Sequence, residues 1–534
     1  MSDGIEAMFD SAWSSLVQLQ PLGFAALIVT EASLLTTVLA TVACGLLTLF
    51  LTTVFWRWHF ENCRDPSSSL PLPPGSFGWP VIGETLHYVL GGSTEYTNKL
   101  KKYGKIYKTH LLGTPTVRVE SDELVALLSS KEPTSLSSGS ALPKSVRAMF
   151  GERSVIVVSG EEHAAVKKNL SKAFVPVRLK DYLPIVQACV RRHVTSWTQG
   201  TGENKMLGFR GCQHLVCDLI LETVVGCTRD QDPDGAVREA FVTCNDNLFC
   251  IPLDIPGMAF HKAKKARRIV ADFARRRLAA ADSSSSGSVS ILDVLISHMG
   301  QDNEHENRAP NDLQQSEAST EKFATELVDN CVSLFIAGAD TVSSALCSVL
   351  KLLAKNPEKL AALRKELESQ DLLSSGQEND LSFELLQSLS YVRAVNKEVL
   401  RVLPPVGGLF RLTKTTVELK DCQIPADWRV VYSVRGIHQE NKAFTNKDEF
   451  CPERWLEPGF EEKLKAQFPC SYAPFGLGTR ACLGKELALL QMSVFVVEVA
   501  RMADWNLLNP DARRVFLPIE KPFDDMPVTF RKRK

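Results

Sequence analysis

Ten residues, Phe475 to Gly484, hold the side chains with the clearest potential for chemistry. They read Phe-Gly-Leu-Gly-Thr-Arg-Ala-Cys-Leu-Gly, and an amphipathic run from Lys485 to Ala500, rich in Leu, Glu, Gln, Val and Met, follows them. This pattern predicts a loop that leads into a long helix. Because the first N–H groups of a helix are unpaired and carry partial positive charge, they would stabilise a thiolate at Cys482. The alternative is an ordinary buried cysteine with a free thiol.

The spacing of Phe475, Gly478, Arg480, Cys482 and Gly484 matches in full the haem-binding loop of the cytochrome P450 family, which the segment resembles. The resemblance implies that Cys482 is the axial thiolate ligand of a haem b iron, and that the other four residues help to bind the cofactor. A thiolate ligand donates electron density that favours O–O cleavage. The implied activity is a monooxygenase that inserts one atom of dioxygen into a C–H bond of a lipophilic substrate.

A second motif lies in the longest predicted helix, 321–355, which contains Ala-Gly-Ala-Asp-Thr at 337–341. Glycine inside a helix lowers stability by ~1 kcal/mol relative to alanine, so the presence of Gly338 in this helix calls for an explanation. One reason is a close crossing with another backbone, and another is a groove that leaves room for dioxygen. The segment resembles the family's oxygen-activation motif, which implies that Ala337 contacts the haem. It also implies that Asp340 and Thr341 are catalytic and handle protons and the bound oxygen.

Cations should converge on the two haem propionates. Arg480 precedes the cysteine by two residues, and Arg411 ends the segment 406–411. The stretch 160–167 resembles a haem-facing helix of the family, but His163 and Lys167 stand where Trp and Arg are usual. Lys167 is either a propionate ligand or part of an exposed basic helix face. His163 either donates to a propionate or caps the helix.

Glu398 and Arg401 stand three residues apart on one predicted helix face, before Pro404. Alone, such a pair is an ordinary surface ion pair of little energetic value. The resemblance implies a buried pair that Arg454 joins, close to the cysteine loop. We therefore expect these residues to determine the fold and to take no part in the chemistry.

Composition sets further limits. The chain has 534 residues, a net charge of −1 and 44% hydrophobic residues, so it can form a large core and has no basic excess for nucleic acid. Its 14 cysteines form no CxxC pair, so neither a zinc site nor a disulfide framework is indicated. A reducing compartment is the natural inference.

The N-terminal region predicts a membrane anchor at 32–56, which carries no charged residue. At ~1.5 Å per residue it spans ~37 Å, enough for a ~30 Å hydrocarbon core. Acidic residues precede the anchor and Arg57 follows it, so the positive-inside rule predicts that the remainder of the chain is cytosolic. Resemblance to microsomal P450s implies a single-pass protein of the endoplasmic reticulum membrane, with a plastid membrane as the open alternative.

The predicted organisation has four parts: a lumenal segment (1–31), the anchor (32–56), a proline-rich linker (57–75) and a haem domain (76–534). Two strands are expected in 105–119, and the rest is mostly helical. Serine-rich 283–288 and polar 300–319 predict surface loops ahead of the central helix. The expected fold is mainly α with small β-sheets, the cytochrome P450 fold behind one transmembrane helix.

Three segments, 102–119, 444–450 and 503–509, resemble the retinoic-acid hydroxylase branch and related sterol and triterpenoid oxidases. The implied substrate is a retinoid or another isoprenoid, and the implied partners are dioxygen and NADPH–cytochrome P450 reductase, which supplies electrons from NADPH. The segment 406–410 departs from that branch's proline and glycine pattern. The side chains expected to line an apolar substrate pocket are Leu142, Val146, Met149, Phe150, Phe249, Ile251, Phe335, Ala337 and Val406, and the region near Met526 is expected to close it. A haem-thiolate isomerase or synthase, a non-catalytic haem protein and a sterol 14-demethylase are the alternatives. The last usually has His where Asp340 stands.

Overall fold

Helices form most of the chain in a computed structural model that describes residues 36–533. Gaps in this description fall at 121–124, 126–134, 228–230, 282–289, 298–312, 374–379, 441–442 and 516–518, and at positions 57, 61, 81 and 201. The predicted lumenal segment and the serine-rich stretch 283–288 lie outside the described residues.

Sixteen helices are described, and the longest of them, α10, runs through the centre of the domain. Their bounds are α1 Thr36–Phe60, α2 Thr85–Tyr103, α3 Lys144–Phe150, α4 Gly160–Ser171, α5 Pro176–Trp197, α6 Gly208–Val224, α7 Ala236–Asp246, α8 Ala259–Ala281, α9 291–297, α10 Leu313–Lys355, α11 Pro357–Ser369, α12 Phe383–Ser388, α13 Ser390–Val402, α14 Val434–Glu440, α15 Phe460–Gln467 and α16 Lys485–Met502.

The described strands are short and form four small sheets. They are β1 Ile106–Leu111, β2 Thr114–Val119, β3 Leu136–Ser137, β4 Asn204–Leu207, β5 Gly408–Thr413, β6 Val417–Leu419, β7 Cys422–Ile424, β8 Arg429–Ser433, β9 Ala503–Leu507, β10 Arg514–Val515, β11 Lys521–Pro522 and β12 Pro527–Lys532. The largest sheet has the order β1-β2-β8-β5-β3, and only its β2–β8 pair is parallel. The predicted class, mainly α with small sheets, is confirmed.

The apolar core lies between the helices, and α10 packs against α6, α8, α13 and α16. Its last 32 residues are apolar enough to cross a membrane, but 78% of their most apolar window is buried in the protein. Burial of most of this stretch explains why it is largely apolar. It begins at Leu313, so the end of the predicted loop 300–319 is helical instead, and residues up to 312 lie outside the description.

The N-terminal apolar helix α1 has a mean hydropathy of 2.2, and none of its most apolar window is buried. It extends four residues past the predicted end at Trp56. The reason is packing: the Trp56 ring lies 4.8 Å from the His110 ring, and Phe60 lies 4.9 Å from Phe77. The C-terminal end of this helix therefore packs against the large sheet.

The segment predicted as a linker is attached to the β6–β7 hairpin. Asp65 N–H donates to Gln423 Oε1 (2.8 Å), and the Gln423 amide donates to Leu70 O (2.5 Å). Gln423 N–H also donates to Pro71 O at 2.9 Å. Since Gln423 is fully buried, these bonds fix residues 65–71 against the domain.

Candidate active site

The cysteine loop is held by its own backbone. Gly476 and Gly478 have φ angles of 76° and 67°, a conformation that glycine adopts without strain. Cys482 N–H donates to Phe475 O at 2.8 Å, which closes the loop just before α16 begins at Lys485. The sequence therefore predicted this turn and its helix correctly.

The Cys482 thiol departs from the expectation that the helix terminus would stabilise a thiolate. Its pKa is raised above the ordinary value because burial outweighs the opposing effects of the Gly484 N–H group, Lys167 and Lys485. The residue as a whole is nevertheless exposed at the protein surface. A directly coordinated metal ion would deprotonate such a thiol outright.

Two of the predicted cofactor-binding cations, Arg480 and Lys167, connect this loop with α4 and the segment before it. Arg480 donates to Val155 O (3.0 Å) and Val158 O (2.5 Å), just ahead of α4. Lys167 on α4 donates to the carbonyls of Thr479 (2.6 Å) and Ala481 (3.1 Å). Lys167 thus points at the cysteine loop and is not part of a free basic face.

His163 is buried one turn before Lys167 on α4. Burial, with Arg480 and Lys167 nearby, lowers the pKa of its imidazole to about 4. At neutral pH the ring is uncharged and has one N–H to donate. It lies inside α4, so the interpretation as a helix cap is wrong.

Arg411, the fourth predicted cation, is buried on β5. Its guanidinium donates to Phe410 O (2.9 Å) and lies over the Tyr432 ring, 5.1 Å from the centroid. It faces the core of the large sheet, which also contacts Leu477 of the cysteine loop. The sheet and the loop are therefore neighbours.

The 337–341 segment is continuous helix within α10. Ala337, Gly338 and Thr341 are half-buried, whereas Asp340 is buried. The Thr341 hydroxyl donates to Ala337 O at 2.7 Å. A Cβ on Gly338 would lie 3.1 Å from the side chain of Ile220 on α6. The neighbour of this glycine is therefore a side chain of α6, and the close crossing with another backbone that was considered for it is not what the structure shows.

Asp340 has a partner that the sequence did not reveal. Gln213 on α6 donates to Asp340 Oδ1 at 2.9 Å and accepts from Arg210 at 2.8 Å. Arg210 lies at the surface near Asp246 (3.5 Å) and Asp525 (3.4 Å). Burial raises the pKa of Asp340, and the Gln213 bond opposes that rise. A polar chain thus connects the buried carboxyl with the protein surface.

Glu398 is the centre of a buried network behind the loop, as predicted. It accepts two bonds of 2.9 Å from Arg401 and one of 3.1 Å from Arg454, and Glu398 and Arg401 have fully buried side chains. Trp455 Nε1 and Cys451 N–H also donate to it, at 2.8 and 2.9 Å. The predicted three-residue contact is confirmed.

Apolar side chains were expected to line a substrate pocket between α3, the α7–α8 connection and α10. Several of them are buried in the main core: Val146, Met149, Phe150, Phe335 and Met526. Ile251 was also expected there, but it is 70% exposed at the protein surface. Leu142, Phe249 and Ala337 are partly buried and contact the same core.

These residues suit a haem. The donor set combines one thiol at a glycine-rich turn, the cations Arg480, Lys167 and Arg411, and a neutral histidine donor beside them. Soft thiolate is an established axial ligand of haem iron, and Arg and Lys pair with carboxylates. Among the described residues, no group of three or more His, Cys, Asp or Glu side chains could bind a metal ion by itself.

This fold and site define a haem-thiolate oxidase, and the family model for cytochrome P450 matches residues 73–514. The chain belongs to the cytochrome P450 family and is a haem-dependent monooxygenase. It is 35% identical to cytochrome P450 26A1 of Gallus gallus, over 91% of this chain and 95% of that protein. Cytochrome P450 26C1 of Homo sapiens is 32% identical, over 91% and 94%.

A solved structure described as "Retinoic acid bound cyanobacterial CYP120A1" has the same fold. Its TM-score is 0.74 and its sequence identity 27%, and the match covers 87% of this chain and 100% of that chain. The predicted resemblance to the P450 family and its fold is thus confirmed.

Proposed function

We propose that this protein is a membrane-anchored P450 that hydroxylates a C–H bond of a retinoid, with retinoic acid as the first candidate. The observation that carries the proposal is the match, over 87% of this chain, to a P450 solved with retinoic acid bound. The predicted lining of apolar side chains around α3 and α10 suits a lipophilic isoprenoid. A sterol or triterpenoid is the second candidate, since 406–410 differs from the retinoic-acid hydroxylase pattern.

In this proposal, Cys482 would hold the haem through its thiolate, and the haem, when bound, would supply the activation of dioxygen and the transfer of one oxygen atom. Arg480, Arg411 and Lys167 would offset the charges of the two propionates. Neutral His163 would donate one hydrogen bond to the same groups. Phe475, Gly478, Gly484 and Ala337 would provide apolar contact with the cofactor.

Asp340 and Thr341 take part in proton transfer beside the substrate. The raised pKa of Asp340 brings its titration closer to neutral pH, which suits a general acid or base. A chain of polar contacts through Gln213 and Arg210 connects this carboxyl with Asp246 and Asp525 near the surface. Because the Thr341 hydroxyl donates its proton to Ala337 O, its lone pairs remain able to accept a hydrogen bond.

We also propose that α1 crosses the endoplasmic reticulum membrane once, with residues 1–31 lumenal and the haem domain cytosolic. In support, α1 is long, apolar and exposed, and its C-terminal end packs against the large sheet. NADPH–cytochrome P450 reductase is the expected electron donor.

The test is a ligand titration followed by turnover. Purified full-length protein is titrated with retinoic acid, with retinol as the control that keeps the skeleton and lacks the carboxylate, and with a sterol. We expect a low-spin to high-spin change with the retinoid and, with reductase and NADPH, a product heavier by one oxygen atom. Binding and oxidation of the sterol alone would overturn the substrate assignment.

Oxygen consumption during the same turnover separates the other classes. A monooxygenase consumes NADPH and dioxygen and forms an oxygenated product. An isomerase or synthase would convert substrate without either reagent, and a non-catalytic haem protein would bind ligand and form no product.

A further inference from the structure

His438 is a fully buried histidine on α14 that no part of the proposed chemistry uses. Its two ring nitrogens contact different parts of the fold. Nδ1 lies 3.1 Å from the carbonyl oxygen of Arg401, and Nε2 lies 3.0 Å from the backbone nitrogen of Ala473. The ring also stacks on Tyr472, with 5.4 Å between centroids and 23° between the planes.

The two partners determine which nitrogen carries the proton. A carbonyl oxygen only accepts, so Nδ1 must donate to Arg401, and a backbone N–H only donates, so Nε2 must accept from Ala473. A doubly protonated ring would place two donors face to face at Ala473. Burial, together with the positive charges of Arg401 and Arg435, lowers the pKa of His438 to about 3 and keeps the ring neutral.

The imidazole joins the end of α13 to the beginning of the cysteine loop. Arg401 is the second-last residue of α13, so its carbonyl has no partner within the helix. On the other side, Ala473 O accepts from Gly476 N–H (3.0 Å), and Phe475 O accepts from Cys482 N–H (2.8 Å). Two backbone hydrogen bonds within residues 473–482 therefore connect the partner of His438 with Cys482, which carries the thiol.

We propose that His438 is a positioning residue that bridges Arg401 O and Ala473 N–H and so holds Cys482 in place as the haem ligand. The proposal rests on the assignment of Cys482 made above. Tyr472 supports the same geometry, since its hydroxyl donates to Lys397 O on α13 at 3.0 Å. The side chain thus acts through the loop and does not touch the reacting groups.

Three variants separate the two hydrogen bonds. His438→Gln can present an amide oxygen near the position of Nε2 and accept from Ala473. His438→Asn can present an amide nitrogen near the position of Nδ1 and donate to Arg401. His438→Phe keeps a ring for packing and loses both bonds. His110→Phe is the matched control, because His110 is also buried but lies on β1 beside Trp56.

The measurement is the Soret band of the reduced, carbon-monoxide-bound holoenzyme, followed over time alongside thermal stability. A buried N–H group without an acceptor raises the free energy of the folded protein. We expect this penalty to make loss of the thiolate-ligated band about tenfold faster. We expect that loss in the Asn and Phe variants, and preservation of the band in the Gln variant and in His110→Phe. The reduction potential should change in the same two variants.

Equal loss of the band in all three His438 variants, or in none, would overturn the proposal and leave His438 a packing residue. A wild-type protein without a thiolate-ligated band would instead refute the assignment of Cys482. The two failures are therefore distinguishable.

Discussion

Replacing Gln213 with Met tests the proposed proton route through a residue that does not touch substrate. Gln213 and Asp340 are both buried, and the 2.9 Å bond between them favours the ionised carboxylate. A hydrogen bond to a charged group contributes ~1.5–3 kcal/mol. Since Asp340 must be ionised to take up the next proton, kcat falls at acid pH. Without Gln213, the midpoint of that fall should move to higher pH by about one unit or more.

The assay is the pH profile of kcat and of product formed per NADPH, in wild type and variant. Gln187→Met is the matched control, since Gln187 is an equally buried amide that donates to Glu498 at 2.7 Å, on α16. The control should lose stability and keep the wild-type midpoint. An unchanged midpoint in Gln213→Met, or the same displacement in both variants, would refute the reasoning.

Three further predictions concern stability. Glu398→Gln removes the charge that two buried guanidinium groups share, so the free energy of unfolding should fall by about 3–5 kcal/mol in denaturant melts. His438 has a pKa of about 3 when folded and ~6.5 when unfolded, so the unfolded chain binds the extra proton between these values. Its stabilising effect, complete above pH ~6.5, should fall by ~1.4 kcal/mol per pH unit as pH decreases, measured by melts at several pH values. Arg267→Met breaks the 2.5 Å ion pair with Asp329 that joins α8 to α10, and should accelerate hydrogen exchange in α8.

Each of these has a control. Glu449→Gln alters an exposed carboxylate next to the same network and should leave the melt unchanged. A His438→Gln protein should lose stability less steeply with falling pH than wild type, and an equal slope would contradict the assignment. Arg268→Met changes an exposed neighbour on α8, so equal exchange in both arginine variants would argue against the ion pair.

Local sequence patterns predicted the cysteine loop well. The glycines of 476–484 and the helical run after Lys485 lie within one short segment, so no distant contact was needed to predict the turn. The pairing of Glu398 with Arg401 is also local, since the two residues stand three positions apart, and the resemblance supplied Arg454.

Distant contacts could not be predicted in this way. Gln213 meets Asp340 across 127 residues, and Gln423 holds Leu70 across 353, and neither glutamine stands in a recognisable motif. The raised pKa of the free Cys482 thiol could not be predicted in this way either. The helix terminus is visible in the sequence, but the enclosure that raises the pKa comes from the packing of the whole domain.

The central claim is that Cys482 is the thiolate ligand of a haem. The most direct test is the spectrum of the reduced, carbon-monoxide-bound protein, in wild type and in Cys482→Ala. A Soret band shifted far to the red in wild type and lost in the variant is the predicted result. A band typical of imidazole-ligated haem in wild type, or an unchanged band in Cys482→Ala, would contradict it.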